Sequence, residues 1–182
     1  CARRLRKEIA VRLVVAVAPV AVVVAVVAVV AVAGCAKNIP IPDVKATADE
    51  AKVARGKYLA ERAMVCVACH SRRDWSHFGG PVIAGTEYGG SDDIGAEEGF
   101  PEGWHFGAPN LTPHHLQDWS DGEIVRATLL GQDKDRHGLF PLMPYRIWRD
   151  AVPVEDGVDV VAFMRTLKPI DHDVVERKLP IP

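Results

Sequence analysis

The stretch Cys66-Val67-Ala68-Cys69-His70 organises everything around it in this 182-residue chain. Two thiols stand one helical turn apart, and an imidazole follows the second directly. That geometry suits covalent haem c: the thiols add to the two vinyl groups, and the imidazole then lies under the iron as an axial ligand. Three other uses of the residues are weaker. A thioredoxin-like redox pair needs a βαβ setting, and no strand alternation persists anywhere. A zinc site needs two more ligands at suitable spacing. A disulfide across two residues would be strained. The pattern therefore predicts one haem c, bound through Cys66 and Cys69, with His70 on the iron.

The flanking sequence reads as helices joined by long loops. Thr47 to about Met64 carries a helical pattern, with Val53, Leu59 and Ala60 on or near one face. Ser71 to about Gln117 is rich in Gly and Pro, and a stretch this long without regular structure is unusual unless it wraps something. Ser120-Asp121-Gly122-Glu123 is a capping box that opens a helix running to Leu130, with Gly131 suited to its stop. Glu155 and Asp156 place acid at the start of a last helix. Its stripe of Val160, Phe163, Met164 and Leu167 faces a core, and Pro169 is expected to end it. Three helices make a thin core for the domain, and a haem would complete it. The predicted class is all-α, three or more helices with long loops around one covalent haem.

The N-terminus reads as an address. Arg3, Arg4, Arg6, Lys7 and Arg12 precede 21 uncharged residues, Leu13 to Ala33. As a helix that run would be about 31 Å long, roughly a bilayer core. A basic start before an apolar run marks a secretory signal or an N-terminal membrane anchor. Val32-Ala33-Gly34-Cys35 resembles the lipobox of bacterial lipoproteins, which makes Cys35 the expected lipid attachment; an uncleaved anchor helix is the alternative. The expected organisation is a signal or anchor over 1–34, a linker over 35–46 and a monohaem domain over 47–182. Without residues 1–34, 17 Lys and Arg stand against 23 Asp and Glu, a formal charge of -6. A mildly acidic domain favours basic partner surfaces. With no Lys/Arg-rich block beyond the first twelve residues, nucleic acid is excluded as a partner.

The second axial ligand separates electron transfer from ligand chemistry, because His with Met fills the iron's coordination and favours electron transfer. Met64 is too close to Cys66 to reach the opposite face. Met164 belongs to the apolar stripe. Met143, in Phe140-Pro141-Leu142-Met143-Pro144-Tyr145, is flanked by prolines that are expected to hold the stretch extended. His77, His105, His114, His115, His137 and His172 read as solvated loop residues, any of which stays open as a distal ligand.

The chain resembles the class I c-type cytochromes, and more narrowly the cytochrome c domains of membrane-bound bacterial alcohol and sugar dehydrogenases. The likeness runs over about residues 54 to 170. It rests on Arg55-Gly56-Lys57-Tyr58-Leu59, Phe78-Gly79-Gly80-Pro81, Pro109-Asn110-Leu111-Thr112-Pro113, Trp119 to Ala127, Pro141 to Tyr145, and Val161 to Leu167. By that resemblance Met143 is the distal ligand. The resemblance also makes the Pro81 carbonyl a candidate acceptor for the free ring N–H of His70, and Trp119 and Tyr145 candidate haem-pocket contacts. It implies that the first and last helices cross beside the haem, with Gly56 allowing close approach near Phe163.

Together these readings predict a membrane-tethered, exported monohaem electron carrier on the periplasmic side of a bacterial membrane. Redox proteins, such as a membrane dehydrogenase or terminal oxidase, would be its partners, and no catalytic residue is required. A haem-based ligand sensor or a peroxidase, each with a displaceable distal ligand, is the alternative.

Overall fold

The structure, a computed structural model, describes residues 39–180. The basic start, the apolar run, Cys1 and Cys35 lie outside the described residues. Among the described residues no helix is long and apolar enough to cross a membrane.

Helix α1 spans Glu50–Tyr58. It starts after Asp49, whose carboxylate accepts the Ala51 and Lys52 N–H groups at 3.0 and 3.2 Å. That side chain meets the first orphan donors, so the helix begins three residues later than the pattern implied. Over Leu59–Ala63 it continues as a wider π turn, in which the Met64 N–H donates to the Leu59 carbonyl at 2.8 Å. At Val65 the backbone turns left-handed, with φ 52°. A β-branched residue is strained there. The turn breaks the first helix from α2, Cys66–Cys69.

The long segment from Ser71 has little regular structure, as expected. It is tied by isolated antiparallel bridges, Arg73 with Val82 and Ile94 with Phe106. Short α3 is Pro113–Leu116 and α4 is Asp121–Val125, the latter passing into a π turn over Arg126–Leu130. The predicted capping box is formed: the Ser120 hydroxyl accepts the Glu123 N–H, and the Glu123 carboxylate accepts the Ser120 N–H. Gly131 ends the helix with φ 70°, the left-handed stop.

Helix α5, Tyr145–Ala151, was not expected, and α6 spans Val154–Met164. Glu155 and Asp156 lie in the first turn of α6 as predicted. The helix stops before Pro169 is reached: the Thr166 hydroxyl donates to the Phe163 carbonyl at 2.7 Å and closes the last turn.

The largest packing surface is α1 against α6. Its crossing point is Gly56, where a Cβ would stand 1.8 Å from the Asp159 carbonyl oxygen. The close approach is therefore at Asp159 and Val160, one turn before the expected Phe163. Phe163 meets Tyr88 instead, edge to face at 5.5 Å. Val160, Val161, Phe163, Met164, Leu59, Ala60, Met64, Ile124, Val125 and Leu129 form the core. Each large apolar side chain buried there contributes about 1.5–3 kcal/mol. Met164 is a core residue, as its stripe implied, and so is Met64. The extended residues before α1 rest on the domain: the Ala46 N–H donates to Asp121 at 2.8 Å, and the Pro42 carbonyl lies against Gly122.

Candidate functional site

Cys66, Cys69 and His70 sit on and at the end of α2. Cys66 is buried and Cys69 exposed, and the two sulfurs are not bridged. Burial pushes the Cys66 thiol up to about 12, so it is a neutral S–H at ordinary pH. His70 is 6% exposed. Its Nδ1 lies 2.7 Å from the Pro109 carbonyl. A carbonyl only accepts, so Nδ1 carries the proton and Nε2 keeps its lone pair. Burial also lowers the imidazole's affinity for a proton, and the Pro109 bond only partly offsets that. A neutral, oriented imidazole with a free Nε2 is the form that binds a metal. The donor set therefore fits haem c: two thiols and one such imidazole on a single short helix.

The partner of His70 corrects the expectation built on Pro81. The Pro81 carbonyl accepts the Asp74 N–H at 2.9 Å, and Val82 pairs with Arg73. Arg73 holds this loop to α2, donating to the Ala68 carbonyl at 2.8 Å and the Gly79 carbonyl at 2.9 Å. The Phe78–Pro81 loop thus turns back on itself and serves the end of α2.

A polar platform holds Pro109 in place. The Gly90 N–H donates to the His70 carbonyl at 3.1 Å, and the Ser91 N–H to the Ala108 carbonyl at 3.0 Å. Asn110 is buried; its Oδ1 accepts from the Thr112 N–H and hydroxyl, and its Nδ2 donates to the Ile170 and His172 carbonyls. Ser71, also buried, accepts the Tyr88 N–H at 3.1 Å. Pro109, Asn110, Ser71 and Thr112 were not singled out from sequence as site residues. The Pro-Asn-Leu-Thr run carried the available signal.

Met143 stands in a separate loop and is half-buried. The stretch around it is a turn rather than extended: the Met143 N–H donates to the Phe140 carbonyl at 3.1 Å. Proline fixes φ but leaves ψ free, and Pro144, with φ -81° and ψ 38°, bends the chain into α5. Phe140 anchors the loop in an aromatic cluster, 5.0 Å from Phe106 and 6.2 Å from Trp104. Trp119 is partly buried against the core near the His115 ring, and Tyr145 packs on Gly131. Neither shares α2 with the Cys and His residues. His77, His105, His114 and His137 stand beside Asp74, Asp93, the Asp171–Asp173 pair and Asp133. His172 reaches the Ser91 carbonyl at 3.2 Å.

A scan against known protein families finds no match. The chain is similar to the gluconate 2-dehydrogenase cytochrome c subunit of Pantoea cypripedii, 30% identical over 139 residues, covering 74% of this chain and 28% of that protein. It is also similar to a diheme cytochrome c-type protein of Cereibacter sphaeroides, 28% identical over 110 residues, 59% of this chain and 33% of that one. Both similarities support a c-type cytochrome related to dehydrogenase cytochrome subunits. It spans about a third or less of the length of these two relatives. The relationship implies covalent haem c and supports electron transfer as the cytochrome's role. The helical, strand-poor domain agrees with a cytochrome c fold.

Proposed function

We propose that this cytochrome carries single electrons between exported redox partners, using one haem c bound through Cys66 and Cys69, with His70 and Met143 as axial ligands. The observation that carries the reading is the 2.7 Å bond from His70 Nδ1 to the Pro109 carbonyl, beside two unbridged cysteines on the same helix. When bound, the haem supplies an iron that cycles between ferrous and ferric states. The chain's own residues do the rest. Pro109 fixes the imidazole's proton on Nδ1 and raises its basicity toward the iron. The α1–α6 core and the aromatic cluster around Phe140 hold the two ligand-bearing segments. No residue is needed as acid, base or nucleophile.

The basic start and the apolar run from Leu13 support export and tethering at the periplasmic face of a bacterial membrane, with Cys35 as the lipid-bearing residue. The gluconate 2-dehydrogenase relative supports a dehydrogenase as a redox partner. The absorption spectrum of the purified ferric protein tests the ligation. A weak long-wavelength sulfur-to-iron band that disappears in Met143→Ala is expected. A high-spin spectrum with rapid carbon monoxide binding in the unaltered protein overturns it. Cys35→Ser tests the tether, and release from the membrane fraction is the expected result.

A further inference from the structure

We propose that Arg126 is a positioning residue for the Met143 loop. Its side chain is 1% exposed and is the largest fully buried one among the described residues. Among the described residues no carboxylate pairs with it. Two of its nitrogens donate to backbone: Nε to the Gln132 carbonyl at 3.4 Å, and Nη2 to the Asp133 carbonyl and to that of Lys134 at 3.3 Å. Desolvating a guanidinium is costly, and the backbone carbonyls that accept from Nε and Nη2 offset that cost. The charge and the loop therefore hold each other.

What the loop carries gives the arrangement a purpose. Residues 132–138 close on themselves: Gln132 bridges Gly138, and the Asp133 N–H donates to the His137 carbonyl at 3.0 Å. The chain then returns to the helix end, where the Leu139 N–H donates to the Gly131 carbonyl at 2.8 Å. Four residues later comes Met143, and two after that Tyr145 packs on the same Gly131. Both ends of the Met143 segment are thus seated on Gly131, and the three residues after Gly131 are seated on Arg126. Losing the guanidinium frees three carbonyls at the base of the loop and slackens the frame that presents the Met143 sulfur.

The proposal rests on the reading of Met143 as an iron ligand, and its test separates the two. The mature ferric holoprotein is titrated with imidazole, which competes for the distal position, while the sulfur-to-iron band is followed. The variants are Arg126→Gln, Arg126→Lys, Met143→Ala as reference, and Leu129→Ala as a packing control on the same helix. Arg126→Gln is expected to weaken the band and let imidazole bind about tenfold more tightly, the lower end of what losing a ligand-orienting group costs. Arg126→Lys keeps the charge but not the fork, and should shift the same way by less. Leu129→Ala should lower the thermal midpoint and leave the titration within about twofold, since it removes packing and no loop anchor. Arg126 variants that titrate like Leu129→Ala overturn the proposal. An unaltered protein that already lacks the band and titrates like Met143→Ala overturns the ligand reading, and this proposal with it. If Arg126→Gln fails to mature, Arg126→Lys decides on the same criterion.

Discussion

The ring of Tyr145 lies against the Cα of Gly131, so close that a Cβ there would stand 2.4 Å from ring carbons Cδ2 and Cε2. Gly131 also has φ 70°, which disfavours any side chain. Gly131→Ala should therefore cost about 1–2 kcal/mol from backbone strain alone, and more from displacing the ring. Denaturant unfolding of the holoprotein measures it. The same variant should weaken the sulfur-to-iron band, because Tyr145 follows Met143 by two residues.

Gly56 is the tightest point between the first and last helices. A methyl group there would overlap the Asp159 carbonyl, which is backbone and has little room to retreat. Gly56→Ala should destabilise the domain by about 3 kcal/mol or abolish its maturation, the upper range for overpacking. The yield of haem-loaded protein and its thermal midpoint check this. A stable Gly56→Ala protein would mean that the helices cross elsewhere.

Phe106 is the buried member of a cluster of four rings with Phe100, Trp104 and Phe140, 4.8 Å from Phe100 and 5.0 Å from Phe140. Phe106→Ala should cost about 3–5 kcal/mol. Phe78 is the contrasting case. It is fully exposed, and Phe78→Ser should change stability by less than about 0.5 kcal/mol. The two variants, unfolded side by side, test whether the aromatic cluster or the Phe78 loop holds the fold.

The parts of this fold that could be read along the chain are those whose physics is local. Ser120 and Glu123 cap each other three residues apart, Gly131 supplies a left-handed stop, and Cys66, Cys69 and His70 lie within five positions. What escaped reading depends on distance or on ψ. The acceptor for His70 lies 39 residues away at Pro109, and nothing local separated it from Pro81. Prolines around Met143 announced restricted φ, but the bend into α5 follows from ψ at Pro144. Gly56 signalled a close approach; which carbonyl it meets is a matter of helix register. Arg126 reads as one more polar residue of the helical turn after α4 until its neighbours in space are known.

Covalent attachment of haem at Cys66 and Cys69 is measured most directly by the intact mass of the matured protein after extraction with acidified organic solvent. The pigment is expected to stay with the polypeptide, adding the mass of one haem, and Cys66→Ala combined with Cys69→Ala to lose it entirely. Pigment that partitions into the solvent from the unaltered protein, leaving a bare polypeptide mass, would contradict it.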